Sequence, residues 1–336
     1  MTYIPAEHDL YKKATQLFAT FITFFIISFN SYAVDTHSAS LQSSFEHLEK
    51  LSEKDPKLAL KAAQKLLSEQ GNTLSSTDKV TLLAKLAQYS YFMNYNEQSQ
   101  QYIEQAYVLK PDLSSDSGIS LLITQATLLI INNKLEEAKA LHLQAEKNAI
   151  NTENNVRLAE IYSAMAEYYS YQHNDIQALQ YFHKSYILLE KLGLELEMMY
   201  LKAQMAASYS NIYDDEKAIE LANETLNYFL SRKFYFDAVF SQNGLALSYL
   251  KTKQYDKSIA AYHRMIEFST LAGNKNSFTV AYLGLADAYL HAKQYQQSRE
   301  YLQKFHESKT LPVTPYTEIN YLFLEANLAL ESGDIA

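Results

Sequence analysis

The sequence predicts an all-α fold in which pairs of antiparallel helices stack as a solenoid. Three observations predict it: an alanine ladder of fixed period, a second small residue twelve positions after most rungs, and a short polar turn between the two. Successive rungs are separated by about 40 residues, a period typical of stacked supersecondary units. The ladder consists of Ala87, Ala126, Ala166, Ala206, Ala246, Ala286 and Ala326.

The first helix of each repeat is predicted from the residues around the ladder. At four consecutive rungs a large apolar residue precedes the alanine and a tyrosine follows it by three positions, as in Leu285-Ala286 with Tyr289. These spacings put the three side chains on one face of a helix. The alanine lets a second helix approach closely, and its neighbours fill the space around the contact.

The second helix carries the other small residue. This series reads Ala59, Ser99, Ala138, Ala178, Ala218, Ser258 and Ser298. An apolar or aromatic residue follows four positions later in most repeats, such as Phe182 or Leu302, whereas His142 is polar. Each repeat is therefore interpreted as two antiparallel helices that close at a contact between small residues.

The pattern resembles the tetratricopeptide repeat. Tyr282-x2-Leu285-Ala286-x2-Tyr289 matches that family's first helix, and Ala178-x3-Phe182-x2-Ser185 matches its second. Ser99-x3-Ile103-x2-Ala106, followed by Pro111, matches the second helix and the terminal proline. The resemblance covers residues 41–336 and implies a right-handed superhelical solenoid of seven repeats and a truncated eighth. It also implies a non-catalytic module that binds partners along a concave groove.

Two departures from that family matter. The period is longer than that of the tetratricopeptide repeat, so either the helices or the turns between them are longer. The family's tryptophan position holds Leu83, Leu122, Tyr162, Lys202, Gln242 and Tyr282. The HEAT and armadillo families have similar periods, but the spacing from each alanine to its small partner favours the tetratricopeptide interpretation.

Residues 1–33 have the pattern of a secretory signal peptide. Lys12 and Lys13 precede an apolar run over residues 14–29, and Ser31-Tyr32-Ala33 forms a small-x-small cleavage sequence before Val34. A short linker over 34–40 would then lead into the repeats. The alternative is an uncleaved anchor, although the run is shorter than a typical span of about 20 residues and is interrupted by hydroxyl side chains.

Composition limits the classes of function. The net charge is −9 with only four arginines and no basic stripe, which argues against nucleic-acid binding. No cysteine is present, so disulfides and thiolate chemistry are excluded. The nine histidines lack the spacing of a helical zinc site and are expected at the surface. No catalytic constellation, metal site or cofactor is predicted.

The repeat register predicts which residues line the concave groove. Positions three before, one after, and four or five after a ladder alanine are expected to face it. The candidate binding residues are Tyr91, Phe92, Ser163, Glu167, Tyr171, Asn243, Leu247, Leu283 and Asp287. A clamp for a partner's C-terminal carboxylate is disfavoured, because Asn243 has no accompanying lysine in this set.

These patterns predict an exported binding module whose partner is a protein, a peptide or a small ligand. The chain resembles the exported tetratricopeptide regions that precede a membrane helix and a diguanylate cyclase or histidine kinase domain in Gram-negative bacteria. The last residues, Gly333–Ala336, enter a turn after a first-helix pattern, which leads us to expect that the natural protein continues. The alternatives are a free periplasmic scaffold for assembling protein complexes and, less favoured, an enzyme.

Overall fold

The computed structural model describes residues 39–54, 56–93, 95–273, 277–308 and 315–333, and all their regular structure is α-helical. The predicted signal peptide lies outside these residues. None of the helices within them combines the length and apolar character needed to cross a membrane. The fifteen helices are α1 (Ala39–Lys54), α2 (Pro56–Gln70), α3 (Ser76–Phe92), α4 (Asn96–Val108), α5 (Asp116–Ile131), α6 (Leu135–Asn151), α7 (Asn155–Tyr171), α8 (Asp175–Leu192), α9 (Glu195–Asn211), α10 (Asp215–Ser231), α11 (Tyr235–Lys251), α12 (Tyr255–Leu271), α13 (Ser277–His291), α14 (Tyr295–Glu307) and α15 (Pro315–Ser332).

Each repeat period consists of two halves of equal length. Helices α6 to α12 have 17 or 18 residues each and are separated by only two or three, so the helices account for the long repeat and not the turns. A residue in the left-handed conformation follows each of these helices, and also α5 and α13, and turns the chain sharply at the helix end. These residues recur at equal intervals, at Asn133, Glu153, His173, Gly193, Tyr213, Lys233, Lys253, Gly273 and Lys293.

The described residues fall into two compact units that divide between Leu201 and Lys202, within α9. In the N-terminal unit (residues 39–201), each helix from α1 to α7 packs on the next, and α5 also packs on α3 and α7. In the C-terminal unit (residues 202–333), α13 packs in the same way on α11 and α15. Within each unit the odd-numbered helices therefore form a row of their own, as expected for stacked helix pairs.

The ladder alanines lie where helices touch. Those from Ala87 to Ala286 are all buried, whereas Ala326 on α15 is exposed because no described helix follows it. Where the opposing small residue is serine, its hydroxyl donates a hydrogen bond to the ladder alanine's carbonyl oxygen. Ser258 reaches Ala246 at 2.8 Å and Ser298 reaches Ala286 at 2.8 Å. The predicted contact between small residues is therefore present and is reinforced by these hydroxyls.

Side-chain sizes are matched between α12 and α13. A Cβ atom at Gly284 would lie 2.2 Å from the ring of Tyr262, which is buried on α12. Gly244 has the same register one repeat earlier, but a Cβ atom there would meet only the Cβ of Ala222, at 4.0 Å. Gly284 is therefore required by the tyrosine that packs on it, and Gly244 is not.

We expect Gly284→Ala to lower the free energy of unfolding by about 1–3 kcal/mol, because the added methyl group overpacks a buried ring. Gly244→Ala is the matched control, and we expect it to raise the same quantity by about 0.5–1 kcal/mol because alanine favours the helix. Urea denaturation of both variants measures the difference. Equal effects at the two positions would contradict the packing of Tyr262 on Gly284.

Candidate binding site

The predicted groove residues of the N-terminal unit are more enclosed than an open binding surface requires. Tyr91 and Phe92 belong to the hydrophobic core, and Ser163 on α7 is also buried. Glu167 and Tyr171 are half-buried. Sequence register therefore identified a row of side chains on the odd-numbered helices, much of which is used in packing between helices.

The predicted residues of the C-terminal unit divide in the same way. Leu283 belongs to a hydrophobic cluster, and Leu247 is half-buried. Asp287 is half-buried and its carboxylate lies 2.9 Å from Nδ1 of His291. Asn243 is only 1% exposed. Whether this row binds a partner stays a prediction. Asn243 differs from the other residues of the row because neither polar atom of its side-chain amide has a hydrogen-bond partner among the described residues.

Helix α11 buries three polar side chains that each have at least one atom without a hydrogen-bond partner among the described residues. Neither the oxygen nor the nitrogen of the Asn243 amide has a partner among the described residues, and the same is true of Gln242 Oε1 and Asp237 Oδ1. A buried polar group without a partner costs about 1–3 kcal/mol. Such groups are rare in folded proteins, so each needs an explanation, such as strain, a functional role or a bound water or ion.

Sequence reasoning identified Asn243 but missed its two neighbours. Gln242 could have been noticed in the sequence, because a polar side chain stands there at a register position that holds Leu83 and Leu122 in other repeats. Burial raises the pKa of Asp237 from 3.8 to about 8. Because the folded protein holds this proton more tightly than the unfolded chain does, the stability that Asp237 contributes decreases as the pH rises between these values.

A buried ionic network connects α3, α5 and α7. The Arg157 guanidinium donates to both carboxylate oxygens of Asp116, at 2.8 and 2.7 Å, and to Glu160 at 2.6 Å. Asn154 donates to Asp116 at 3.1 Å, and Gln88 donates to the other oxygen of Glu160 at 3.5 Å. This arrangement, which we call the Arg157 network, uses the arginine's charge internally and does not present it to a ligand.

The two acids of this network have pKa values shifted in opposite directions. Burial raises the pKa of Asp116, but the charge and hydrogen bonds of Arg157 outweigh it and bring the value down to about 2. Burial also raises the pKa of Glu160, and there the same arginine does not outweigh it. Asp116 receives two hydrogen bonds from Arg157 and one from Asn154, whereas the charge of Asp116 raises the pKa of Glu160 further.

The expectation that the histidines lie at the surface is wrong for His142. Its side chain on α6 is fully buried, and neither ring nitrogen has a hydrogen-bond partner among the described residues. It occupies the register position of Phe182, so the repeat pattern buries it whatever its polarity. Among the described residues, no group of three histidine or carboxylate side chains is placed to hold a metal ion.

Comparisons with solved structures agree with this architecture. The Cut9–Hcn1 hetero-tetramer of the APC/C aligns with a TM-score of 0.62 and 16% identity, over 94% of this chain and 54% of the other. A Pyrococcus horikoshii signal transduction ATPase with a tetratricopeptide repeat sensor aligns with a TM-score of 0.58 and 14% identity, over 96% and 60%. NprR in complex with its cognate peptide NprX aligns with a TM-score of 0.63 and 11% identity, over 88% and 85%.

These similarities define the fold class. The chain is an all-α, tetratricopeptide-like helical-repeat solenoid. It spans 54% and 60% of the length of the first two of these structures. No protein-family model and no curated protein matches the sequence.

Proposed function

We propose that this chain is a non-catalytic binding module that recognises a protein or peptide through the α11 face containing Asn243. The unused amide of Asn243 carries this proposal. An amide offers one acceptor and two donors, which complement the N–H and C=O groups of a polypeptide backbone. Because Asn243 is only 1% exposed in the free protein, the side chains that cover it must move aside before the partner's backbone supplies the hydrogen bonds that the free protein lacks. Neighbours in the fold comparison support this role, since one is a complex with a peptide and another is a hetero-tetramer.

The test uses a peptide selected from a random phage-displayed library on the wild-type protein. We expect Asn243→Leu to weaken binding of that peptide at least tenfold, which corresponds to about 1.4 kcal/mol. The free protein should keep its stability or gain some, because leucine removes two buried groups without partners. Calorimetric titration and urea denaturation measure the two quantities.

Ser241→Ala is the matched control on the same helix. The Ser241 hydroxyl is paired with that of Thr225 at 2.8 Å, so its loss should reduce stability and leave peptide binding unchanged. Equal binding by wild type and Asn243→Leu, or failure to select any peptide, would remove the basis for the proposal.

We further propose that the module is the periplasmic sensory region of a membrane signalling protein. The charged, apolar and small-residue segments within residues 1–33 support export. Expression with its own leader should yield a periplasmic protein whose intact mass is that of a chain beginning at Val34. A full-length product in the membrane fraction would instead identify residues 14–29 as an anchor, and a full-length product in the cytoplasm would contradict export.

A further inference from the structure

Three tyrosines form a cluster between α7 and α8, outside the α11 face. The ring of Tyr181 on α8 stacks on Tyr169 of α7, with centroids 5.3 Å apart and planes at 19°. Tyr162 on α7 lies 6.1 Å from Tyr181 at a tilt of 55°. All three rings are half-buried. We call this group the tyrosine crevice.

A cation already lies over these rings. The ammonium of Lys184 is 4.5 Å from the centroid of Tyr181 and 5.3 Å from that of Tyr162. Lys184 is exposed, and no described carboxylate lies within salt-bridge distance of its ammonium. The rings therefore hold a positive charge by cation–π attraction, on a flexible side chain that can withdraw into solvent.

A carboxylate adjoins the crevice from the preceding repeat. Burial raises the pKa of the Tyr162 phenol, and the Glu146 carboxylate on α6 raises it further. The pKa of Tyr181 is also raised, chiefly by burial, next by Tyr169 and then by Glu146. Glu146 therefore acts electrostatically on two of the three rings, and its negative charge favours a cation over them.

The same set of side chains recurs three repeats later, in the C-terminal unit. Tyr289 stacks on Tyr301 at 5.5 Å and 12°, Tyr282 lies 6.1 Å from Tyr301, and Lys304 lies 4.4 Å above Tyr301. The two intervening repeats keep the tyrosine at the position of Tyr169 but have other residues at the other two ring positions, so packing does not require the full tyrosine triad. They hold Lys202, Tyr209 and Leu221, then Gln242, Tyr249 and Ala261.

We propose that the tyrosine crevice of the N-terminal unit binds an organic cation with a quaternary ammonium group, which displaces Lys184. The methyl groups of such a cation cover more ring surface than a primary ammonium does, and the ion is less strongly hydrated. The second cluster is a weaker candidate. Lys304 there is held by Glu300 at 2.6 Å, and Ile266 occupies the register position of Glu146.

The experiment titrates choline into the whole chain by calorimetry and follows its methyl protons by NMR. We expect Lys184→Met to bind choline about threefold more tightly than wild type, because the internal competitor is gone. In the Lys184→Met background, Tyr181→Leu and Glu146→Gln should each weaken binding, the former about tenfold. Tyr181→Phe should retain binding, because its ring remains.

The neutral isostere 3,3-dimethylbutan-1-ol separates charge recognition from apolar packing. It should bind at least about tenfold more weakly than choline. Absence of choline binding to Lys184→Met, or equal binding of the isostere, would overturn the proposal, as would unchanged binding by Glu146→Gln. None of these variants alters α11, so the outcome is independent of the test on Asn243.

Discussion

Replacing Arg157 with methionine should lower the free energy of unfolding by about 3–5 kcal/mol, the largest effect we expect from a single substitution at neutral pH. The residue is 6% exposed, and its side chain makes three charge-assisted hydrogen bonds, to Asp116 and Glu160. Its removal leaves two buried carboxylates, and Lys85, whose charge acts on both of them, is already paired with Glu49. Urea denaturation at neutral pH measures the loss.

The control separates the uncompensated charge from the loss of packing. Combining Arg157→Met with Asp116→Asn and Glu160→Gln neutralises the acids, and this triple variant should be more stable than Arg157→Met alone. Lys217→Met removes a pair with Glu220 on the surface, where an ion pair contributes at most about 1 kcal/mol. A single substitution at Arg157 that costs no more than Lys217→Met would show that the Arg157 network does not stabilise the fold.

The repeat architecture could be predicted from the sequence because helices touch at small residues. A fixed interval between alanines then fixes the interval between contacts, and the serine or alanine twelve positions later marks the opposite helix. The register also explains why Tyr262 requires Gly284 on the next helix. What the interval could not distinguish was a long helix from a long turn, since both give the same period.

The candidate site was less predictable, because register gives the direction of a side chain and not its exposure. Asn243 and Phe92 were both assigned to the groove, yet one is a buried amide without partners and the other is part of the core. The Arg157 network joins Gln88 to Glu160 across 72 residues, which no local pattern indicates. Individual pairings of this kind depend on how closely successive repeats approach.

His142 shows the opposite case, in which register was a better guide than residue type. Its position in α6 corresponds to Phe182 and Leu302, both buried. Burial lowers the pKa of His142 from 6.5 to about 4. The ring therefore binds a proton less tightly in the folded protein than in the unfolded chain. The stability that depends on the neutral ring is complete above pH 6.5 and is lost as the pH falls towards 4.

We expect the His142→Leu variant to be more stable than wild type at every pH in this range, and increasingly so as the solution is acidified. At neutral pH the gain comes from removing two buried nitrogens without partners, about 1–3 kcal/mol. Between pH 6.5 and 4 the wild type should lose about a further 3 kcal/mol that the variant does not, since each pKa unit corresponds to about 1.4 kcal/mol. Urea denaturation of both proteins across this range measures the difference, in which the opposite pH dependence of Asp237 cancels.

His173→Asn, at an exposed left-handed position, is the control and should follow the wild type. A constant difference between His142→Leu and wild type from about pH 7.5 to 4 would mean that folding does not lower the pKa of the ring.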